Sequence, residues 1–433
     1  MMKTLLAGAV ALILTALSPL YALDWPQWRG PLRDGKSAET GLLKSWPDGG
    51  PELLWSAAGL GKGFSSVAVA RGKVYTTGVT DDTGWLSAFD LNGQPVFKVD
   101  YGPEWTGSSP GARTTPTVEG DRLYLISGKG RVACFNALTG EKIWHVDAHE
   151  VFKVAKYPMW GIAESPLLVD DKVICTPGGP DATLVALSRT DGRTLWTAKG
   201  PAEAGAYCSP ILAHHNGRPI IVTQTAASAI AVDARTGQVL WRDPFAAYQK
   251  EPKDINPVSP IYHAGAVYVT SGYDNGGALL VLSPDGAAVS RRWTDTVLDV
   301  HHGGVILLDG FLYGSNWISN FKGNWVCLNW QTGEPAWEHA WINKGSIIYA
   351  DGLLYCYSEA KGGTVGLVQP SPEKFDLVSS FTVTLGDGPH WAHPAVSDGR
   401  LYLRHGDVLL AYDVHDPART SAAAQPSPAA SPR

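Results

Sequence analysis

Four histidines, His301, His302, His390 and His393, fall in two short segments of this 433-residue chain, and imidazole is a common ligand of Zn²⁺ and Cu²⁺. A shared site would need both segments to lean over one axis, so the expectation is a polar funnel lined by imidazoles rather than a metal centre. Arg113 offers a planar fork suited to paired oxygens. Glu164 and Asn256 offer hard oxygens of the kind that hold Ca²⁺. Trp105, Trp160, Tyr207, Tyr273, Trp317 and Trp391, interleaved with Asn, Asp and His, suit a sugar, a peptide or a planar cofactor. No Gly-x-Ser-x-Gly elbow occurs, which sets a serine nucleophile aside, and no residue is assigned a catalytic role.

The elements that must position these residues announce themselves as a repeat. Its clearest copy reads Ala-Val-Asp-Ala-Arg-Thr-Gly-Gln-Val-Leu-Trp over 231–241. Aligning the last aromatic of each copy gives Trp55, Phe97, Trp144, Trp196, Trp241, Trp293, Trp337 and Phe381. Their spacing of 42 to 52 residues fits one four-stranded propeller blade per unit. In the Thr-Gly turn, Gly140, Gly237 and Gly333 supply the positive φ that a tight strand-to-strand turn demands. A second landmark opens each unit: Ser66, Thr115, Ser165, Ser209, Ser259, Gly303, Ser346 and His393, each followed by Pro, Gly or an aliphatic residue.

The first aromatic-ended strand, ending at Trp55, precedes the first opening strand, whereas the last unit stops near Tyr412. The expected fold is therefore all-β: an eight-bladed propeller of four-stranded antiparallel blades, closed by an N-terminal strand in the last blade. Connections between blades run 10 to 22 residues against a few on the opposite face, so function is expected on the inter-blade face. That face carries Trp105, Arg113, Trp160, Glu164, Tyr207, Asn256, His301, His302, His390, Trp391 and His393, with Tyr273 and Trp317 added from loops within blades.

Composition narrows the partners. A formal charge of −6, with Lys and Arg scattered, gives no footprint for nucleic acid. Residues 1–22 read as a cleavable export signal, whose apolar stretch is too short to span a membrane. Five cysteines without a Cys-x-x-Cys pair read as buried small hydrophobes. No cysteine near the signal offers a lipid anchor. Residues 23–49 are expected to pack on the ring through Trp25, Trp28 and Trp46, residues 50–415 to form the propeller, and 416–433 to be a disordered tail.

With the Ala-x-Asp-x-x-Thr-Gly-x-x-x-Trp signature and eight units, the chain resembles the pyrroloquinoline quinone (PQQ) like, quinoprotein alcohol dehydrogenase-like β-propeller repeat family. That family includes quinone-dependent dehydrogenases and the propeller component of the outer-membrane protein assembly machinery. The opening Asp-Trp-Pro-Gln-Trp-Arg-Gly-Pro over 24–31 is similar to the start of many secreted members. For a dehydrogenase the resemblance implies PQQ held by Arg113, with Trp160 and Trp391 against it, and Ca²⁺ held by Glu164 and Asn256. Gly161-Ile162-Ala163-Glu164 looks like the segment that carries a metal-ligating Glu in those enzymes. The adjacent Cys-Cys pair and the larger funnel insertions of the dehydrogenases are missing here. The expectation is thus a periplasmic or secreted, non-enzymatic propeller needing no cofactor, binding an envelope or secreted protein at its inter-blade face. A PQQ and Ca²⁺ dependent alcohol or sugar dehydrogenase and a glycan-binding module are the alternatives.

Overall fold

The computed structural model describes residues 24–418 except 201 and 252. The expected export signal and all but the first three residues of the expected tail lie outside the described residues. Eight four-stranded antiparallel sheets follow one another around the ring. In the fourth, strands Ile211–His215, Arg218–Gln224, Ser228–Asp233 and Val239–Pro244 pair in chain order. Innermost strands such as Ala68–Ala70 are wholly buried, whereas outermost ones such as Pro335–His339 are largely exposed. That gradient is why apolar runs open each unit and mixed ones close it.

The signature turn is built by its own side chains. Asp233 Oδ1 accepts the amides of Arg235 (3.0 Å) and Thr236 (3.2 Å), and the Gly237 amide returns to the Asp233 carbonyl (2.8 Å). Asn136 and Asn329 repeat the pattern, each side chain accepting two amides of its turn. Next, every outer strand carries an extra residue near its start, and that of the first blade a second one at Tyr101. In seven blades the one near the start stands directly before the aromatic, as Leu195 does before Trp196 and Leu240 before Trp241. Such a bulge re-aims the next side chain.

The re-aimed aromatic docks on the neighbouring blade. Trp55 lies against Gly93, Phe97 against Gly140, Trp144 against Gly192, Trp196 against Gly237 and Trp293 against Gly333. The indoles of Trp55, Trp144, Trp293 and Trp337 also donate to Leu91, Arg189, Trp330 and Ser371 carbonyls of the next blade, at 2.8–3.1 Å. The seventh blade departs from the repeat, because its extra residue is Val378 and Ser379 takes the aromatic's register. Phe381, two residues on, instead meets Gly50 and the edge of Trp46.

Leu53–Ala57 pairs with Val408–Asp413 as the fourth strand of the last sheet, so the N-terminal strand closes the ring. At the hub the second landmark forms a hydrogen-bonded arc. The Ser66 amide donates to Thr115 Oγ1, Thr115 to Ser165 Oγ and Ser165 to Ser209 Oγ, and Ser259 Oγ donates to the Ser209 carbonyl. Ser66 Oγ extends it to the last blade through the His393 carbonyl at 2.7 Å.

Residues 24–37 fill this hub. Trp25 pairs with Val69, the Val118 amide donates to Pro26, and the Trp28 indole donates to Ser259 Oγ at 3.1 Å. Arg33 donates to the carbonyls of Ser165 (2.8 Å) and Pro166 (2.9 Å). Arg29 donates to those of Val305 (2.6 Å), Ile347 (3.3 Å) and Asp34 (3.3 Å). Both are 2% exposed, and burial lowers both guanidinium pKa values to about 10, which leaves them cationic at neutral pH. The irregular Gly303-Gly304 landmark now has a reason. A Cβ on Gly304 would strike the Arg29 guanidinium, and one on Gly303 the Gly345 carbonyl.

At Gly333, φ is +75° and an added Cβ would lie 2.6 Å from the Trp293 ring. Gly333→Ala should therefore cost about 1–3 kcal/mol in chemical denaturation, and unchanged stability would refute blade docking through this contact. Arg29→Ala strands three carbonyls at the hub and should cost about 2–4 kcal/mol by the same measurement.

Candidate functional site

Above the filled hub opens a cavity of about 420 Å³. Trp28 and His393, with ring centroids 4.4 Å apart, form its floor, and His393 is 4% exposed. Phe64 and Trp391 (4.9 Å) and Trp160 and Tyr207 (5.6 Å) stand as tilted pairs in the wall. The Arg113 guanidinium lies 5.3 Å over Phe64 and is fixed by bonds to the carbonyls of Gly111 (2.7 Å) and Ser109 (2.5 Å). Tyr273, His301 and His302 complete the wall, and Phe321, 90% exposed, stands at the mouth. The hub segment makes this funnel blind.

Two wall aromatics sit on left-handed backbones, Tyr207 at φ 73° and Tyr273 at φ 71°. Such conformations cost about 1–3 kcal/mol each and persist only where the surroundings impose them. Around Tyr273 the imposing group is Asp299, whose carboxylate accepts the amides of Asp274 (2.8 Å), Asn275 (3.2 Å) and Gly276 (2.7 Å). Burial pushes the Asp299 pKa up to about 7 even so. His301 Nε2 meets the Tyr273 hydroxyl at 2.9 Å, and His393 Nε2 meets the His302 carbonyl at 2.8 Å.

A profile of the family described as outer membrane protein assembly factor BamB matches residues 46–157 and 82–339. The chain belongs to this family. Among curated relatives, the polyvinylalcohol dehydrogenase of Sphingopyxis sp. (strain 113P3) is 23% identical over 74% of this chain. The chain spans about half of that relative, 52% of its length. The BamB of Shewanella oneidensis is 23% identical over 56% of this chain and 61% of its own. Of solved structures, BamB from Moraxella catarrhalis shares the fold with a TM-score of 0.61 at 15% identity, over 84% of this chain and 99% of its own. The quinohemoprotein alcohol dehydrogenase of Comamonas testosteroni does so with a TM-score of 0.67 at 13% identity, over 91% and 81%. The family fold thus serves proteins named for assembly and for alcohol oxidation, and the distinction rests on side chains.

Those side chains divide. Arg113, Trp160, Tyr207, Tyr273, His301, His302, Trp391 and His393 share the cavity wall. Glu164 and Asn256 do not, although their neighbours Ala163, Ile255 and Pro257 do. Glu164 turns into the protein, where it accepts the Thr176 amide (2.9 Å) and hydroxyl (3.2 Å). Asn256 is fully buried and donates to the carbonyls of Thr225 (3.0 Å) and Lys253 (3.3 Å). A Ca²⁺ site needs six to eight converging oxygens. No such cage forms from these residues, so the calcium set expected for a quinone does not fit the wall, and no chemical step is derived through it.

Three further positions stand apart from the cavity. His390 bonds the Tyr357 hydroxyl at 2.6 Å and stacks on His405 at 3.7 Å, so it leaves the group of four histidines. Trp105 caps Tyr157, with its indole on the Ser108 carbonyl at 3.1 Å. Trp317 backs Tyr273 at 5.1 Å without lining the cavity. Sequence reasoning missed Phe64 and Phe321, which carry no motif, and the hub role of Arg29 and Arg33. For those arginines the Trp-Arg-Gly-Pro run was the available signal.

Burial raises the Glu164 pKa from 4.5 to about 8, with Thr176 and Arg33 opposing. Folded protein then holds a proton that the unfolded chain loses near pH 4.5, so this group's contribution to stability falls as pH rises from about 4.5 to about 8. Glu164→Gln removes that fall. Urea midpoints should show the variant gaining on the wild type across this window, and parallel pH profiles would sink the assignment.

Proposed function

We propose that the protein is an exported binding module of the cell envelope. It receives an extended segment of a partner protein on the inter-blade face, with one apolar or aromatic side chain of that segment seated in the funnel. The observation that carries this reading is the blind, aromatic-walled shape of the funnel. Seven aromatic rings, Trp28, Phe64, Trp160, Tyr207, Tyr273, Phe321 and Trp391, surround a space open at one end. A pocket of this kind holds an inserted side chain well, because aromatic anchors in a desolvated pocket supply most of the energy of a typical protein interface. Exposed apolar side chains continue around the mouth, Phe321, Ile318 at 42% and Met159 at 64%, and such surface suits a protein partner. The family description, an assembly factor for outer membrane proteins, supports partners of the same class.

In the cell envelope, a photo-crosslinking residue placed at Phe321 should capture a discrete partner, whereas one at Glu334, in a Thr-Gly turn on the opposite face, should not. Adding Trp391→Ala should cut the Phe321 adduct about tenfold, the effect of losing roughly 1.4 kcal/mol of anchor energy. Equal capture from both faces would overturn the reading. Micromolar binding of PQQ with Ca²⁺, with dye reduction by an alcohol, would replace it with the dehydrogenase. Retention on a polysaccharide that Trp160→Ala abolishes would replace it with a glycan site.

A further inference from the structure

Beside the funnel wall, which His301 and His302 line, three polar atoms converge without hydrogen-bond partners: His301 Nδ1, His302 Nε2 and Glu359 Oε2. Their residues form a group whose ligand atoms lie within 4.8 Å of one another, which no other three His, Cys, Asp or Glu do among the described residues. His302 Nε2 and Glu359 Oε2 are 3.2 Å apart, yet not aligned to bond. Two ligands about 2.0–2.1 Å from a tetrahedral ion stand about 3.3 Å apart, so this pair is already at coordination spacing. His301 Nδ1 has no partner, and the His302–Glu359 contact is an ion pair only with a protonated imidazole, so an ion shared by all three atoms would satisfy the group.

We infer that His301, His302 and Glu359 bind a divalent first-row transition ion of the Zn²⁺ or Cu²⁺ class, with its remaining coordination positions open to the funnel. The surroundings act as outer partners to each ligand. His301 Nε2 faces the Tyr273 hydroxyl at 2.9 Å, which can accept the Nε2 proton and so leave the Nδ1 lone pair for an ion. Glu359 Oε1 is held by the Lys344 ammonium, whose other bonds go to the carbonyls of Ser319 (2.9 Å) and Asn320 (3.0 Å). That grip turns Oε2 toward the imidazoles. It also fixes the segment that carries Phe321, so the ion site and the funnel mouth share one support.

Lys344 offsets the single carboxylate charge, so affinity must come chiefly from nitrogen. This selects imidazole-preferring ions over Ca²⁺ or Mg²⁺, which need several oxygens.

The test uses tag-free, chelator-treated protein titrated at neutral pH with Zn²⁺ by calorimetry and with Co²⁺ by visible absorption. One ion per chain is expected, with Co²⁺ bands of a low-coordinate site and no competition from millimolar Ca²⁺. His302→Gln and Glu359→Gln should each weaken binding at least about tenfold, the scale already reached by losing an outer-shell partner. His214→Gln, an exposed imidazole, should change nothing. Glu359→Gln strands Lys344, so His302→Gln, which leaves that ion pair intact, decides the matter if the former unfolds. Absence of saturable binding, or binding untouched by His302→Gln, overturns the inference. Phe321→Ala should retain the ion whatever it does to partner capture, which keeps this result separate from the fate of the proposed partner site.

Discussion

Contact between neighbouring blades is the constraint on which the rest of the structure depends. A four-stranded blade buries neither of its faces by itself, so each must find the next at a fixed angle. Two contacts set that angle, one at each end of the blade. At the periphery a bulge turns the aromatic of one blade onto the Thr-Gly turn of the next, as with Trp196 on Gly237. At the hub, Ser and Thr hydroxyls accept amides across three successive boundaries, from Ser66 to Thr115, Thr115 to Ser165 and Ser165 to Ser209. The aromatic and the opening Ser or Thr of the repeat are partners across blades, while its Asp or Asn builds the turn within one.

Closing eight blades leaves inner-strand carbonyls facing a central space, and buried carbonyls need donors. The segment before the first blade supplies them. Arg29 and Arg33 reach opposite sides of the hub, to Val305 and Ile347 on one and to Ser165 and Pro166 on the other. An arginine serves here because its guanidinium offers several donors in one plane and stays charged when buried. The same segment lays Trp28 across the floor of the funnel. Hub stability and the blind shape of the cavity therefore have one cause.

The candidate site sits where the repeat gives way. Glu164 and Asn256 remain parts of the frame, the first bonded through both carboxylate oxygens and the second through its amide nitrogen, with Asn256 Oδ1 left unpartnered, whereas Arg113, Trp160, Tyr207, Tyr273 and Trp391 leave the frame to line the funnel. Asp299 shows how strain is carried at this boundary, since its carboxylate gathers three successive amides and holds Tyr273 on a left-handed backbone. Aromatic walls, three imidazoles and a fixed guanidinium thus come together on a scaffold whose regular positions are chemically quiet.

The sequence by itself determined the ring, the blade count, the strand that closes it and the face with long loops. These follow from local rules of spacing, turn chemistry and alternation that repeat eight times. It also assigned eight residues that line the funnel to one face, because loop length alone separates the two faces. Tertiary structure decided which of them meet. Glu164 and Ala163 are adjacent in the chain, yet one turns inward and the other lines the cavity, a difference of side-chain direction that no spacing reveals. His301 and His302 find Glu359 only because the sixth and seventh blades are neighbours, and His390 leaves its companions for Tyr357 and His405. Phe381 carries the repeat's aromatic but not its register, since a bulge is a matter of pairing. Periodicity is written residue by residue, whereas convergence depends on how distant loops fold over one hub.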